Sequence, residues 1–225
     1  MKRSAKNRLI IMAHPDDSEL ACGGTIALWT KHDRVYNVIV SCGEKGTWHK
    51  DDEPLQIADK RESEAKKAAR YLGVKKVIFL GHPDGEIANV PTLKVELAAL
   101  IRSIKPHTIV THDPWRRQFH PDHRATGFAV IDSIMIARDW HFYPFLVEIG
   151  LKKYRPKELL LIPTDKPTIV NDITATINKK IRAIKLHSSQ LRQLPQWEKR
   201  IKQRAQNDGH LAGFKYGEGF HKMRV

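Results

Sequence analysis

Short apolar runs alternate with helix-forming stretches along the first two thirds of the chain. Residues 8–13 (RLIIMA), 35–41 (VYNVIVS), 74–80 and 107–111 are aliphatic and β-branched over strand length. Helix formers fill 25–31, 58–72, 92–104 and 125–137. Gly73 is placed to cap the second of these stretches, and Pro106 closes the third. Four such alternations with short connections predict a mostly parallel sheet covered on both faces. Residues 159–162 make a candidate later strand, and 173–187 and 197–206 read as basic helices. With no repeat, low-complexity tract or linker, residues 1–225 are expected to form one domain.

A sheet of this kind binds ligands beyond the carboxyl ends of its strands. The polar clusters fall there: His14-Pro15-Asp16-Asp17 after the first run, 43–52 after the second, 81–86 after the third and 112–123 after the fourth. The expected fold class is therefore α/β, a Rossmann-like three-layer sandwich.

Residues 13–20 (AHPDDSEL) hold one imidazole and three carboxylates within six positions. Carboxylates crowded behind a buried strand repel one another unless a cation stands among them. Histidine nitrogen with carboxylate oxygen suits Zn²⁺, Fe²⁺ or Mn²⁺ better than Ca²⁺ or Mg²⁺. The competing reading is an acidic start to the next helix, with Asp16, Asp17 and Ser18 as caps. Residues 118–124 (QFHPDHR) add two histidines three apart around Asp122. A hydrolytic metal centre needs about three protein ligands and an open position, and the two clusters together supply them.

The stretch AHPDDSELACGGTI, taken with HPDH at 120–123, resembles the LmbE-like or PIG-L family of zinc-dependent N-acetyl deacetylases. That family includes enzymes of bacillithiol and mycothiol biosynthesis and chitobiose deacetylases. RESEAKKAARYLG (61–73), LGHPDGE (80–86) and HSSQ (187–190) resemble further family stretches, and the likeness spans roughly residues 8–190. The resemblance implies that His14, Asp17 and His123 bind Zn²⁺, or another divalent ion such as Fe²⁺ or Mn²⁺. It implies that Asp16 is the general base and that His120, as imidazolium, stabilises the oxyanion. It also implies that Arg61 contacts substrate, and Asp122 is expected to orient one of the histidines from outside the ligand set. The implied reaction is hydrolysis of an N-acetyl group on a GlcNAc-type sugar or conjugate. An amidase acting on a larger thiol conjugate is the near neighbour.

Other features admit plainer readings. Gly23-Gly24 fits close packing of a helix on a strand better than a phosphate cradle. Trp48, His49 and Trp115 are candidates to stack on a sugar ring. Asp84 reads as a turn or pocket-lining residue, and Cys22 and Cys42 as small buried groups. Specificity is expected to lie in 43–52, 87–91 and the C-terminal third.

Charge is the one compositional anomaly. Residues 151–225 hold 17 Lys and Arg against 6 Asp and Glu, a net +11 of the chain's +14. A basic nucleic-acid-binding protein with structural histidines is the rival reading. The basic residues are scattered among apolar ones without a nucleic-acid motif, so nucleic acid is not the expected partner. An acidic feature of the substrate or a partner subunit fits better, and a homo-oligomer is possible. No apolar run reaches membrane-spanning length, and the two cysteines make no disulfide framework. The expected compartment is the cytoplasm.

Overall fold

The computed structural model describes residues 4–116, 119–192 and 194–225. The elements run β1 (Asn7–Met12), α1 (Asp17–Trp29), β2 (Arg34–Ser41), α2 (Pro54–Leu72), β3 (Lys76–His82), α3 (Leu93–Ile104), β4 (Thr108–Thr111) and α4 (Pro121–Arg138). A short α5 (Phe145–Glu148) leads to β5 (Glu158–Leu161), β6 (Ile169–Asp172), α6 (Ile177–Lys185), α7 (Ser188–Leu191), α8 (Trp197–His210) and β7 (Gly217–Arg224). The sheet order is β3-β2-β1-β4-β5-β7-β6. The first five strands in that order are parallel, and β7 runs antiparallel to both β5 and β6.

The period of two along β1 sorts its side chains between two cores. Leu9 and Ile11 join Leu97, Ile101, Val130 and Ile134 of α3 and α4. Ile10 and Met12 join Cys22 and Ile26 of α1, Ala183 of α6 and Phe220 of β7. Arg102 on α3 is 1% exposed and donates to the carbonyls of Ile136, Ala137 and Asp139, closing the carboxyl end of α4. The helix that carries His123 is thereby fixed at its far end. From β1 the chain winds outward through β2 and β3, then returns to place β4 on the other side of β1. The topological switch point is the crevice between β1 and β4.

α1 and the β6–β7 pair depart from the sequence expectation for reasons visible in the packing. α1 begins at Asp17 instead of residue 25 and runs through Gly23-Gly24, breaking from helical geometry only at Cys22 (φ −137°). After the break, the N–H groups of Gly24 and Thr25 are taken by the Glu218 carboxylate of β7, at 3.0 and 2.7 Å. The protein's own carboxylate occupies the anion position that two glycines at a helix start would offer. A Cβ on Gly24 would lie 2.8 Å from Ile173, so close packing also holds. β6 and β7 were not foreseen, because their pairing depends on glycines 217 and 219, which carry no β propensity.

Glu218 also meets Lys180 at 2.6 Å, both side chains 5% exposed or less. Glu218→Leu is expected to destabilise the fold by about 3–5 kcal/mol, because it strands a buried ammonium. Lys180→Met added to Glu218→Leu should recover much of that loss. Urea unfolding of the three variants checks it. A Glu218→Leu midpoint equal to wild type contradicts the structural role.

Candidate active site

The first turn after β1 carries the centre. His14 is buried, and its Nε2 lies 3.0 Å from Asp84 Oδ1 and 3.1 Å from Asp122 Oδ2. With Nε2 given to carboxylates, Nδ1 is the nitrogen that faces the crevice. There Nδ1 is 3.3 Å from His123 Nε2 and 3.5 Å from Asp17 Oδ2, while His123 Nε2 is 3.4 Å from Asp17 Oδ1. The three groups form a triangle with edges of 3.3–3.5 Å. A tetrahedral ion with bonds of ~2.1 Å sets its ligand atoms ~3.4 Å apart; His14 Nδ1 and His123 Nε2 already hold that spacing, and Asp17 meets each of them through a different carboxylate oxygen. The electrostatics agree. Burial opposes charge on His14, yet hydrogen bonds to Asp122, Asp17 and Asp84 outweigh it and push its pKa up to about 12. Three carboxylates favour positive charge at this point, carried by the imidazolium itself or, once its Nδ1 proton is displaced, by a bound ion.

Each outer group has a traceable origin. His120 caps α4, its Nδ1 accepting the Asp122 N–H at 3.3 Å, and Pro121 follows at the first helical position. Asp122, in the first turn, accepts the N–H groups of Gly85 (2.6 Å) and Ile87 (3.3 Å) as well as His14 Nε2. It therefore orients His14 across the crevice, not a histidine of its own helix. Asp84 is 6% exposed and fixed by Lys45 N–H, and burial is outweighed by His14 so that its pKa falls to about 2. Asp84 thus belongs to the centre, where a turn or lining residue was expected.

Asp16 adopts φ +100°, a left-handed conformation that costs a non-glycine residue of the order of 1–3 kcal/mol. It occupies the N-cap position of α1 but makes no capping bond. Its carboxylate instead lies 3.4 Å from Arg61 Nη2. Burial raises the Asp16 pKa to about 6, against the lowering effect of Arg61. Arg61 was expected to touch substrate. Here it is 5% exposed and donates to the carbonyls of Gly43 (2.8 Å) and Pro15 (2.9 Å), which makes it a brace for Asp16. A Cβ at Gly43 or Gly46 would run into the guanidinium, and Gly43 also holds φ +71°, so a side chain at either position would displace the Arg61 brace.

Several residues escaped sequence reasoning. His112, directly after β4, is 2% exposed and stacks on His123 at 4.1 Å, with Nε2 accepting Ala13 N–H at 3.1 Å. Burial takes its pKa down to about 4, so it stays neutral. Its position after β4 mirrors that of His14 after β1, a signal that was available. Asp17, His112 and His123 could also gather round an ion, but the His112 nitrogen that faces Asp17 is already spent on Ala13. Glu64 of α2 accepts from Ser188 Oγ (2.9 Å) and from Ser189 N–H (3.0 Å) and Oγ (2.6 Å), tying the HSSQ stretch to the helix of Arg61. His187 lies 3.3 Å from Glu19, both 2% exposed. We expect His112→Leu to weaken metal affinity about 10- to 100-fold, the usual cost of losing an outer support. Competitive titration with a metal indicator measures it, and unchanged affinity removes the assignment.

Beside the centre lies a cavity of ≈440 Å³, lined among others by Leu20, Phe119, His120, His123, Ile201 and Arg204. That volume suits a sugar-sized ligand. Trp48 and Trp115 do not line it, and the aromatic at its mouth is Phe119, 98% exposed.

Fold and centre together define the class: a Rossmann-like α/β protein with a histidine–carboxylate centre at its topological switch point. The sequence profile of the PIG-L family, described as GlcNAc-PI de-N-acetylase, matches residues 9–134. The diacetylchitobiose deacetylase of Thermococcus kodakarensis (strain ATCC BAA-918 / JCM 12380 / KOD1) is 32% identical over 95% of this chain and 82% of its own. A probable N-acetyl-alpha-D-glucosaminyl L-malate deacetylase 2 of Bacillus cereus is 30% identical over 81% of this chain and 82% of its own. The solved N,N'-diacetylchitobiose deacetylase from Pyrococcus horikoshii, in complex with its inhibitor MPG, superposes with a TM-score of 0.93 at 33% identity. It covers 98% of this chain and 84% of that one. The chain belongs to the PIG-L, or LmbE-like, family.

Proposed function

We propose that this protein is a metal-dependent N-deacetylase that hydrolyses the acetamide of a GlcNAc-type sugar or conjugate to a free amine and acetate. The reading rests on the 3.3–3.5 Å triangle of His14, Asp17 and His123, in a chain whose named relatives are deacetylases of GlcNAc-type substrates. Those three residues would hold a divalent ion, with zinc the first choice for two imidazoles and one carboxylate. When bound, the ion would acidify the attacking water and polarise the acetamide carbonyl.

The chain's own groups do the rest. Asp16 takes the proton of the water as its oxygen bonds to the carbonyl carbon. The carbon–nitrogen bond then breaks, and the proton passes from the Asp16 carboxyl to the leaving nitrogen. Arg61 keeps the Asp16 carboxylate in place through the 3.4 Å contact. His120 faces the cavity, and its role differs from the imidazolium expected. Its Nδ1 accepts a backbone N–H, and burial and the neighbouring His14 and His123 charges lower its pKa. The neutral ring carries its proton on Nε2, which donates to the oxygen as negative charge develops there. Asp122 and Asp84 hold His14 by Nε2, leaving Nδ1 for the ion.

The rival, a nucleic-acid-binding protein with structural histidines, gives no reason for three carboxylates to surround a buried imidazole. No helix among the described residues is long and apolar enough to cross a membrane. The test is amine release from N-acetylglucosamine, N,N'-diacetylchitobiose and GlcNAc-bearing thiol conjugates, with and without added zinc. Zinc-dependent amine release from the sugars supports the reading. Cleavage of the thiol conjugates alone transfers it to the amidase, and no release from any of them removes it.

A further inference from the structure

Four consecutive residues after α6, His187-Ser188-Ser189-Gln190, grip three segments around the catalytic base. His187 Nε2 lies 3.3 Å from Glu19 of α1, the helix that opens at Asp17 directly after Asp16. Ser188 Oγ and the Ser189 N–H and Oγ donate to Glu64 of α2, three residues beyond Arg61 and so on the same side of that helix. Gln190 Nε2 donates to the Gly46 carbonyl at 3.0 Å. His187, Glu19 and Glu64 are buried, where polar contacts hold their geometry more firmly than at the surface.

The grips converge on Arg61. Gly46 N–H donates to the Gly43 carbonyl at 3.0 Å, closing a turn whose Gly43 carbonyl also accepts Arg61 Nη1 at 2.8 Å. Arg61 Nε has no hydrogen-bond partner among the described residues. The aim of the guanidinium therefore rests on two carbonyls, Gly43 and Pro15, and on Asp16 itself at 3.4 Å. Gln190 fixes the turn that supplies the first carbonyl, and Glu64 fixes the helix that supplies the arginine. Neither Glu64 nor Gln190 lines the catalytic cavity.

We propose that residues 187–190 and Glu64 form a clasp that positions the general base, holding Arg61 and through it the Asp16 carboxylate. The proposal rests on the deacetylase reading with Asp16 as base. Glu64, Ser189 and Gln190 are positioning residues that act through Arg61. A small displacement of the base costs rate and leaves binding intact.

The test measures kcat, KM and metal content on N-acetylglucosamine and N,N'-diacetylchitobiose, beside amide hydrogen exchange of Gly46 in the metal-free protein. Glu64→Ala removes all three bonds to the serines, and Gln190→Ala removes the bond to Gly46 from a half-buried position. Each should lower kcat roughly tenfold, with KM and metal affinity unchanged. The Gly46 N–H should exchange faster in both as the turn loosens. Glu64→Gln keeps an oxygen for Ser188 Oγ and the Ser189 N–H and offers an amide to the Ser189 hydroxyl, so it should keep wild-type kcat and exchange. In an Arg61→Gln background, Glu64→Ala should cost no further kcat, because both act through one group. Wild-type kcat in both alanine variants, metal lost along with activity, a Glu64→Gln enzyme as slow as Glu64→Ala, or losses that multiply with Arg61→Gln overturns the clasp. Absence of amine release by the wild type counts against the deacetylase reading instead. Gly46 exchange needs no turnover and then still decides the clasp: faster in the two alanine variants if the clasp holds the turn, unchanged if it does not.

Discussion

Asp17→Ala should lose the metal and the reaction together. Asp17 is the one carboxylate in the triangle, so its removal leaves two imidazoles to hold a divalent ion. Its Oδ2 also accepts the His14 N–H at 2.8 Å, which fixes the turn from which His14 projects. Burial raises the cost of its charge, yet the neighbouring His123 holds its pKa well below the usual carboxylate range. It is therefore present as an anion, the form a metal requires. We expect metal content after dialysis to approach zero, and kcat/KM to fall by more than ~10⁴-fold as the acidified water and polarised carbonyl are lost. Elemental analysis beside turnover measures both. An Asp17→Ala enzyme that keeps its ion at wild-type affinity would remove Asp17 from the ligand set.

Asp16→Asn should separate the base from the ligands. Asparagine tolerates the left-handed conformation that position 16 requires (φ +100°), so the fold and the metal should remain. It cannot accept the water's proton. The expected loss is roughly 10²–10⁴-fold in kcat, the usual share of general-base catalysis. Arg61→Gln should follow in the same direction by a smaller factor, since it releases the Asp16 carboxylate without removing it. Unchanged turnover in Asp16→Asn, or metal lost along with activity, contradicts the separation of roles within this dipeptide.

The parts legible in the sequence were those set by local pattern. β1, β2 and β4 announced themselves as apolar runs, and the clusters at their carboxyl ends located the site. His14, Asp17, His120 and His123 lie together because β1 and β4 are neighbours across the switch point, while the Asp16 carboxylate lies against Arg61. What stayed hidden depends on contacts distant in the chain. Glu218 caps the break in α1 from 194 residues away, and no local pattern marks it. The antiparallel β6–β7 pair closes the sheet with glycines that carry no strand signal. Arg61 sits on a helical pattern that any surface arginine would fit. Its burial follows only once the loop of Gly43 and Gly46 folds around it. Asp84 lies at a turn, where aspartate is common, and only the approach of β1 brings His14 to it.

The central claim is that one metal centre built by His14, Asp17 and His123 runs the hydrolysis of an N-acetyl group. The most direct test strips the protein with a chelator, then titrates zinc while amine and acetate are quantified from N,N'-diacetylchitobiose and N-acetylglucosamine. The account predicts no turnover in the stripped protein. It predicts amine and acetate in equal amounts on reconstitution, with activity saturating at one ion per chain and absent from Asp17→Ala at every zinc concentration. Full turnover in the stripped protein, or saturation at one ion with neither amine nor acetate formed from any N-acetylated sugar, would contradict it.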